Sequence, residues 1–88
     1  MLSIIVTFYD EVAFLRTALR SVRNQGVENL ELIVINDNPE RFSPADLEAL
    51  NQGFGARIIH HTENRGLSAA RNTGIVAANG TWIAFLFS

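Results

Sequence analysis

The chain contains no cysteine and no lysine. Without thiols it forms no disulfide, offers no thiolate to a metal and has no sulfur nucleophile, although this leaves the redox compartment open. Without lysine it has no Walker-type phosphate loop and no Schiff-base chemistry. Its seven basic residues are all arginine, are scattered, and are outnumbered by nine acidic ones, for a formal net charge of −2. No basic block or stripe exists to follow a phosphate backbone, which argues against a nucleic-acid partner. Long apolar runs are missing too. Trp82 to Phe87 is far too short to cross a bilayer, and Met1 to Val6 has no basic lead-in of the signal-peptide kind. The expectation is a chain with no transmembrane segment, cytoplasmic or peripheral to a membrane.

What is present is a core-forming composition. Hydrophobic residues make up 48% of the 88 positions, enough for one small packed domain and too many for a disordered chain. Leu2 to Thr7 is a continuous apolar, β-branched run, as expected of a strand buried on both faces of a parallel sheet. Asp10 is placed as an N-cap, with Glu11 at the favourable end of the helix dipole. Val12, Leu15, Leu19 and Val22 then recur at helical spacing as far as Gln25-Gly26. Leu30 to Ile35 repeats the strand pattern and is broken by Asn36-Asp37-Asn38-Pro39. Ser43 and Pro44 open a short helix running through Leu50. Ala56 to His60 is a third strand. A helix from Gly66 to about Ala78 follows, with Leu67, Ala70, Gly74, Ile75 and Ala78 on one face, and Thr81 to Leu86 is the fourth strand.

This βαβαβαβ order predicts an α/β fold with an open, mainly parallel sheet of four strands in the order 3-2-1-4 and helices on both faces, a Rossmann-like half. Ligands of such sheets bind beyond the carboxyl ends of the strands, where the strand order reverses. That rule gathers Thr7 to Tyr9, Asn36 to Asn38 and Thr62 to Gly66 into one crevice.

Within it, the stretch Glu63 to Gly74 passes from a polar loop into a helix flanked by Arg65 and Arg71. Free N–H groups at a helix start favour anions, so Gly66, Ser68 and the two arginines sketch a diphosphate seat. The same pattern equally fits a surface helix with solvated arginines. Asp37 is either an acceptor for a base N–H or ribose hydroxyl, or the side chain of a turn that ends the strand. Tyr9 either stacks on a base or fills a gap between strand and helix. Gly53-Phe54-Gly55 precedes a strand and lacks a third glycine, so it is not a dinucleotide fingerprint. His60 and His61 are neighbours on a strand and point to opposite faces, which sets aside a shared metal site with Glu63.

Five segments in register resemble the N-terminal half of family 2 glycosyltransferases of GT-A fold. They are Ser3 to Glu11, Ser21 to Gln25, Leu32 to Asp37, Glu63 to Gly74 and Gly80 to Leu86. The segment Asn64 to Gly74 is the most specific, and together they cover nearly the whole chain. The resemblance implies a single truncated donor-binding domain over residues 1–88, the part of a glycosyltransferase that holds a UDP-sugar type of nucleotide-sugar donor. It implies nucleotide contacts from Thr7, Tyr9, Glu11 and Asp37, and diphosphate contacts from Arg71, with Gly66, Ser68 and Arg65 beside it. Asn36 stands where the family usually has the first of two aspartates.

The family continues from the fourth strand into a carboxylate-rich motif that holds a divalent cation, manganese or magnesium. This chain reads Leu86-Phe87-Ser88, with Phe87 in place of the first aspartate of the commonest version. The resemblance therefore implies that the metal ligands lie beyond Ser88, as does the C-terminal acceptor half, and that the chain alone has no catalytic residue and is inactive. The rival expectation is a non-catalytic α/β interaction module or remnant that associates through its open sheet edge.

Overall fold

The structure, a computed structural model, describes residues 1–87. The side chain of Phe87 and the whole of Ser88, on which the departure from the metal motif was read, lie outside that description.

Seven elements follow in strict alternation. They are β1 (Leu2–Phe8), α1 (Val12–Asn24), β2 (Leu30–Asn36), α2 (Pro44–Asn51), β3 (Arg57–His60), α3 (Leu67–Ala77) and β4 (Trp82–Phe87). The four strands form one parallel sheet in the order β3-β2-β1-β4. The first two crossovers step outward from β1 to β3. The third steps back across the sheet to the far side of β1, and right-handed connection then requires its helix to lie on the opposite face.

Side-chain alternation along the two central strands feeds two cores. Val6, Phe8, Leu32 and Val34 pack with Leu15, Leu19 and Val22 of α1 and Leu47 of α2. Ile5, Ile33 and Ile35 face the other way and pack with Ala70 of α3. Each fully buried large aliphatic among them stabilises the fold by roughly 1.5–3 kcal/mol. On α3 the buried stripe is narrower than its sequence suggested. Ala70 and Gly74 are buried, whereas Leu67 and Ile75 remain largely exposed because they lie on the flanks of the helix.

The helix starts differ in how they are made. Ser43 accepts from Asp46 N while the Asp46 carboxylate accepts from Ser43 N, a complete capping box with Pro44 at the first helical position. Asp10 does not cap α1. The N-cap position falls on Glu11, which makes no side-chain cap bond, and the Asp10 carbonyl instead accepts from Val12 N at 3.1 Å.

At the amino ends of the strands, the Glu31 carboxylate accepts from Ser3 Oγ, Asn79 N and Asn79 Nδ2 at 2.7–2.9 Å, and Ser3 Oγ accepts in turn from Gly80 N. These bonds tie the turn after α3 to β1 and β2 and hold Glu31 below the usual glutamate range, the Asn79 backbone N–H being the largest cause. Among the described residues β4 forms an edge of the sheet, with Trp82 72% exposed. No described helix is long and apolar enough to cross a membrane.

Candidate functional site

The ladder bonds continue past the strand ends. Asp37 N donates to Phe8 O at 2.9 Å and His61 N to Asn36 O at 3.0 Å, so the carboxyl ends of β1, β2 and β3 are laid side by side before their loops diverge. A cleft of about 230 Å³ opens over them, lined by Thr7, Phe8, Tyr9, Asp37, Asn64, Gly66, Leu67 and Ala70. It sits where the strand order reverses, the position expected for the ligand of a sheet of this kind. Its volume is below the roughly 300–1,000 Å³ of most small-molecule sites, so it suits one moiety of a larger ligand.

Asp37 organises this cleft. Although only 5% exposed, it is a carboxylate with three short partners, Oδ1 accepting from Arg65 N at 2.8 Å and Oδ2 from Gly66 N at 2.9 Å. The third is His61, whose Nδ1 lies 2.7 Å from Oδ1. A carboxylate offers about four acceptor positions, and these bonds use two on Oδ1 and one on Oδ2. The placement is also electrostatically sound. Gly66 is the N-cap of α3 and has no side chain to cap with, and the aspartate supplies negative charge at the positive end of the helix.

The turn that ends β2 belongs to Asn36, whose Oδ1 accepts from Asn38 N at 3.0 Å and whose Nδ2 donates to Phe42 O at 2.9 Å. Asp37 is thereby spared the turn role that its position in the sequence allowed. Tyr9 is 47% exposed on the rim, and Asn38 Nδ2 donates to its carbonyl.

The cleft brings together Thr7, Tyr9, Asp37 and Gly66. It does not include Glu11, Ser68, Arg65 or Arg71 among its lining residues. Arg71 is half-buried one helical turn beyond Leu67, on the same face of α3 as that cleft residue. Arg65 lines a different, more open hollow with Arg57, Asn72 and Thr73. Of the two arginines that sequence alone placed in one seat, neither lines the cleft, and Arg65 lines the other hollow.

His61 is the residue that sequence reasoning missed. It lies just past β3 and is 7% exposed, with Nδ1 on Asp37 and Nε2 2.7 Å from Thr73 Oγ1. The order aspartate, imidazole, hydroxyl is that of a nucleophilic triad. Here, however, the Thr73 hydroxyl donates to the Ala69 carbonyl within its own helix, and the nearby N–H groups of Arg65 and Gly66 are turned to the aspartate. That geometry positions a loop rather than arming a nucleophile. A fixed histidine at a strand end beside a buried carboxylate was the available signal, but a 24-residue separation hides the contact from spacing rules.

Among the described residues no group of three or more histidine, cysteine, aspartate or glutamate side chains is arranged to hold a metal ion. The resemblance places the ligands of the divalent cation beyond Ser88, and no chemical step is assigned to it.

Sheet order, helix placement and a cleft at the switch point define a GT-A type α/β half. The chain belongs to glycosyl transferase family 2, whose pattern matches residues 3–86. It is 41% identical to EpsH of Bacillus subtilis (strain 168) over 86 residues, covering 98% of this chain and 25% of EpsH. It is 38% identical to the uncharacterized glycosyltransferase EpsJ of the same organism over 87 residues, again covering 98% of this chain and 25% of the relative. In fold it is similar to S. aureus TarS, with a TM-score of 0.74 and 20% identity over 98% of this chain and 16% of TarS. The chain thus spans a quarter or less of the length of these proteins.

Proposed function

We propose that these 88 residues form the donor-binding portion of a glycosyltransferase, a single domain seating the nucleotide of a nucleotide-sugar of the UDP-sugar type. The observation that carries this reading is the buried Asp37 carboxylate lining a cleft with the exposed Tyr9 at the switch point of the sheet. In this reading Asp37 accepts an N–H from the base, Tyr9 stacks on it, and Thr7 closes the floor. The start of α3 at Gly66 to Ser68 faces the diphosphate through the N–H groups of Leu67 and Ser68, that of Gly66 being taken by Asp37. Arg71, one turn further along, adds a guanidinium to that charge. Arg65 is left out of the seat because it faces the other hollow.

Sugar transfer further requires a base for the acceptor hydroxyl, stabilisation of the leaving diphosphate and alignment of two substrates. None of these is assigned to a described residue, so the proposal is confined to donor binding, without turnover by this chain alone. Titration calorimetry with UDP tests it. Binding by the chain is expected, with Asp37→Ala and Arg71→Ala each weakening it by about tenfold, the worth of one charge-assisted contact. An isotherm unchanged in both variants would overturn the site assignment. The 72% exposure of Trp82 on β4 favours a second reading, self-association through that edge. A dimer whose stability is indifferent to UDP would support it.

A further inference from the structure

The loop between β3 and α3 forms one wall of the cleft, yet it contains Gly66 at a φ of +89° and is short of apolar anchors. Glu63, Asn64, Arg65 and Gly66 are all exposed. The backbone N–H groups of Arg65 and Gly66 are bonded to one carboxylate, with Asn64 Oδ1 a second acceptor for Gly66 N at 3.0 Å, and that carboxylate is itself held. His61 Nδ1 meets Asp37 Oδ1 at 2.7 Å, and the carboxylate offers only lone pairs, so the ring nitrogen donates. On its other side the ring is fixed by Nε2 against Thr73 Oγ1 at 2.7 Å, and the Thr73 hydroxyl is anchored on Ala69 O at 3.0 Å. The chain of contacts runs from α3 through the imidazole to the end of β2 and back to the loop that starts α3. It closes a ring around the cleft wall.

We infer that His61 is a positioning residue for the nucleotide cleft, orienting the Asp37 carboxylate so that its two oxygens fix the backbone of Arg65 and Gly66 in the cleft wall. The part of this inference that concerns the ligand rests on the nucleotide reading above. The part that concerns the loop stands on the hydrogen bonds alone. Removing the imidazole leaves a buried carboxylate with one charge-assisted bond fewer to fix its orientation. Arg65 N then loses its fixed acceptor, while Gly66 N keeps the Asn64 side chain.

Two substitutions separate the ring's two roles. In His61→Asn the amide nitrogen takes the place of Nδ1, keeping the bond to Asp37 and giving up Thr73. In His61→Gln the amide nitrogen takes the place of Nε2, keeping Thr73 and giving up Asp37. Amide hydrogen exchange of the chain without nucleotide is read at Arg65 and Gly66, with Ile5 and Val6 of β1 as core references. His61→Gln is expected to speed exchange at Arg65 by about tenfold relative to the core, and by less at Gly66, and His61→Asn to restore both to within about threefold of the parent. UDP affinity should follow the same order.

Equal acceleration at loop and core amides, or no difference between the Asn and Gln variants, would overturn the inference by reducing His61 to a packing residue. If the exchange pattern appears and the parent chain does not bind UDP, the nucleotide reading fails and the positioning role stands. If UDP binds and the exchange pattern is absent, the reverse holds.

Discussion

A β-carbon placed on Gly74 would fall 2.5 Å from Cγ2 of Ile5 and 2.9 Å from its Cδ1, so α3 rests on β1 with no space for a methyl group. Alanine is favoured over glycine in a helix by about 1 kcal/mol, but overpacking a rigid core costs about 1–3 kcal/mol. Ile5 is fully buried in a central strand and its Cγ2 sits next to the backbone, so it has little freedom to retreat. Gly74→Ala is therefore expected to destabilise the chain by about 1–2 kcal/mol in urea unfolding, since the overpacking term outweighs the propensity gain. Adding Ile5→Ala to Gly74→Ala should cost less than the two single losses summed, because the methyl then enters vacated space. A stabilised Gly74→Ala would show that the helix does not lie as close as described.

Asn36 and Asp37 are adjacent and nearly isosteric, yet their environments are opposite. Asn36 is 1% exposed, and its Nδ2 donates to Phe42 O at 2.9 Å and lies 3.2 Å from His60 Nδ1. The bond to Phe42 fixes a ring that packs edge-on against Phe8, with centroids 4.9 Å apart. Asn36→Asp would set a carboxylate oxygen against the Phe42 carbonyl with no donor between them, at an expected loss of about 2–3 kcal/mol. Thermal unfolding measures it. The resemblance alone points the other way, since it restores an aspartate where the family usually carries one.

Sequence order made the sheet legible because the signals are local. The apolar runs at Leu2 and Leu30, the alternation of strand and helix patterns, and the Ser43-Pro44 start need only near neighbours, and all appear as expected. The position of the cleft follows from topology, and Thr7, Tyr9, Asp37 and Gly66 meet there. What was not legible depends on contacts between distant segments or on a one-residue offset. Asp10 and Glu11 compete for one cap position, and neither side chain forms the bond. Asn36 takes the turn that either it or Asp37 was able to make. Arg65 and Arg71 are six residues apart, one before α3 and one within it, and neither lines the cleft. His61 read as one of two strand histidines facing opposite sides. It acquires its role only because β3 ends at His60, leaving its ring to turn toward Asp37.

On the nucleotide reading proposed above, replacing Tyr9 separates ligand binding from stability. At 47% exposure on the rim of the cleft it contributes little to the core. Stacking on a base is worth about 0.5–1.5 kcal/mol, so Tyr9→Ala should weaken UDP binding by about twofold to tenfold, and Tyr9→Phe should leave it nearly unchanged. Urea midpoints of both variants are expected to stay close to the parent's. A Tyr9→Ala variant that loses stability and keeps its UDP affinity would place the ring in the packing of β1 against α1.

The bonds to Glu31 link stability to pH. The Asn79 backbone N–H, the Ser3 hydroxyl and the Asn79 side chain favour its ionised form, in that order, and hold it below the usual glutamate range. A carboxylate depressed in the folded state adds stability that is fully present above its unfolded value, near pH 4.3, and is lost as pH falls through the lower folded value. Urea midpoints should thus fall on acidification from about pH 4.3 downward, and Glu31→Gln should flatten that part of the profile. At neutral pH the same variant should cost about 1 kcal/mol, because an amide replaces charge-assisted acceptors and presents an NH₂ to at least one donor. Glu31 is only half-buried, so screening keeps the effect at the lower end for bonds to a charged group. If the acid profile of Glu31→Gln superimposes on the parent's, the acid sensitivity resides in another carboxylate.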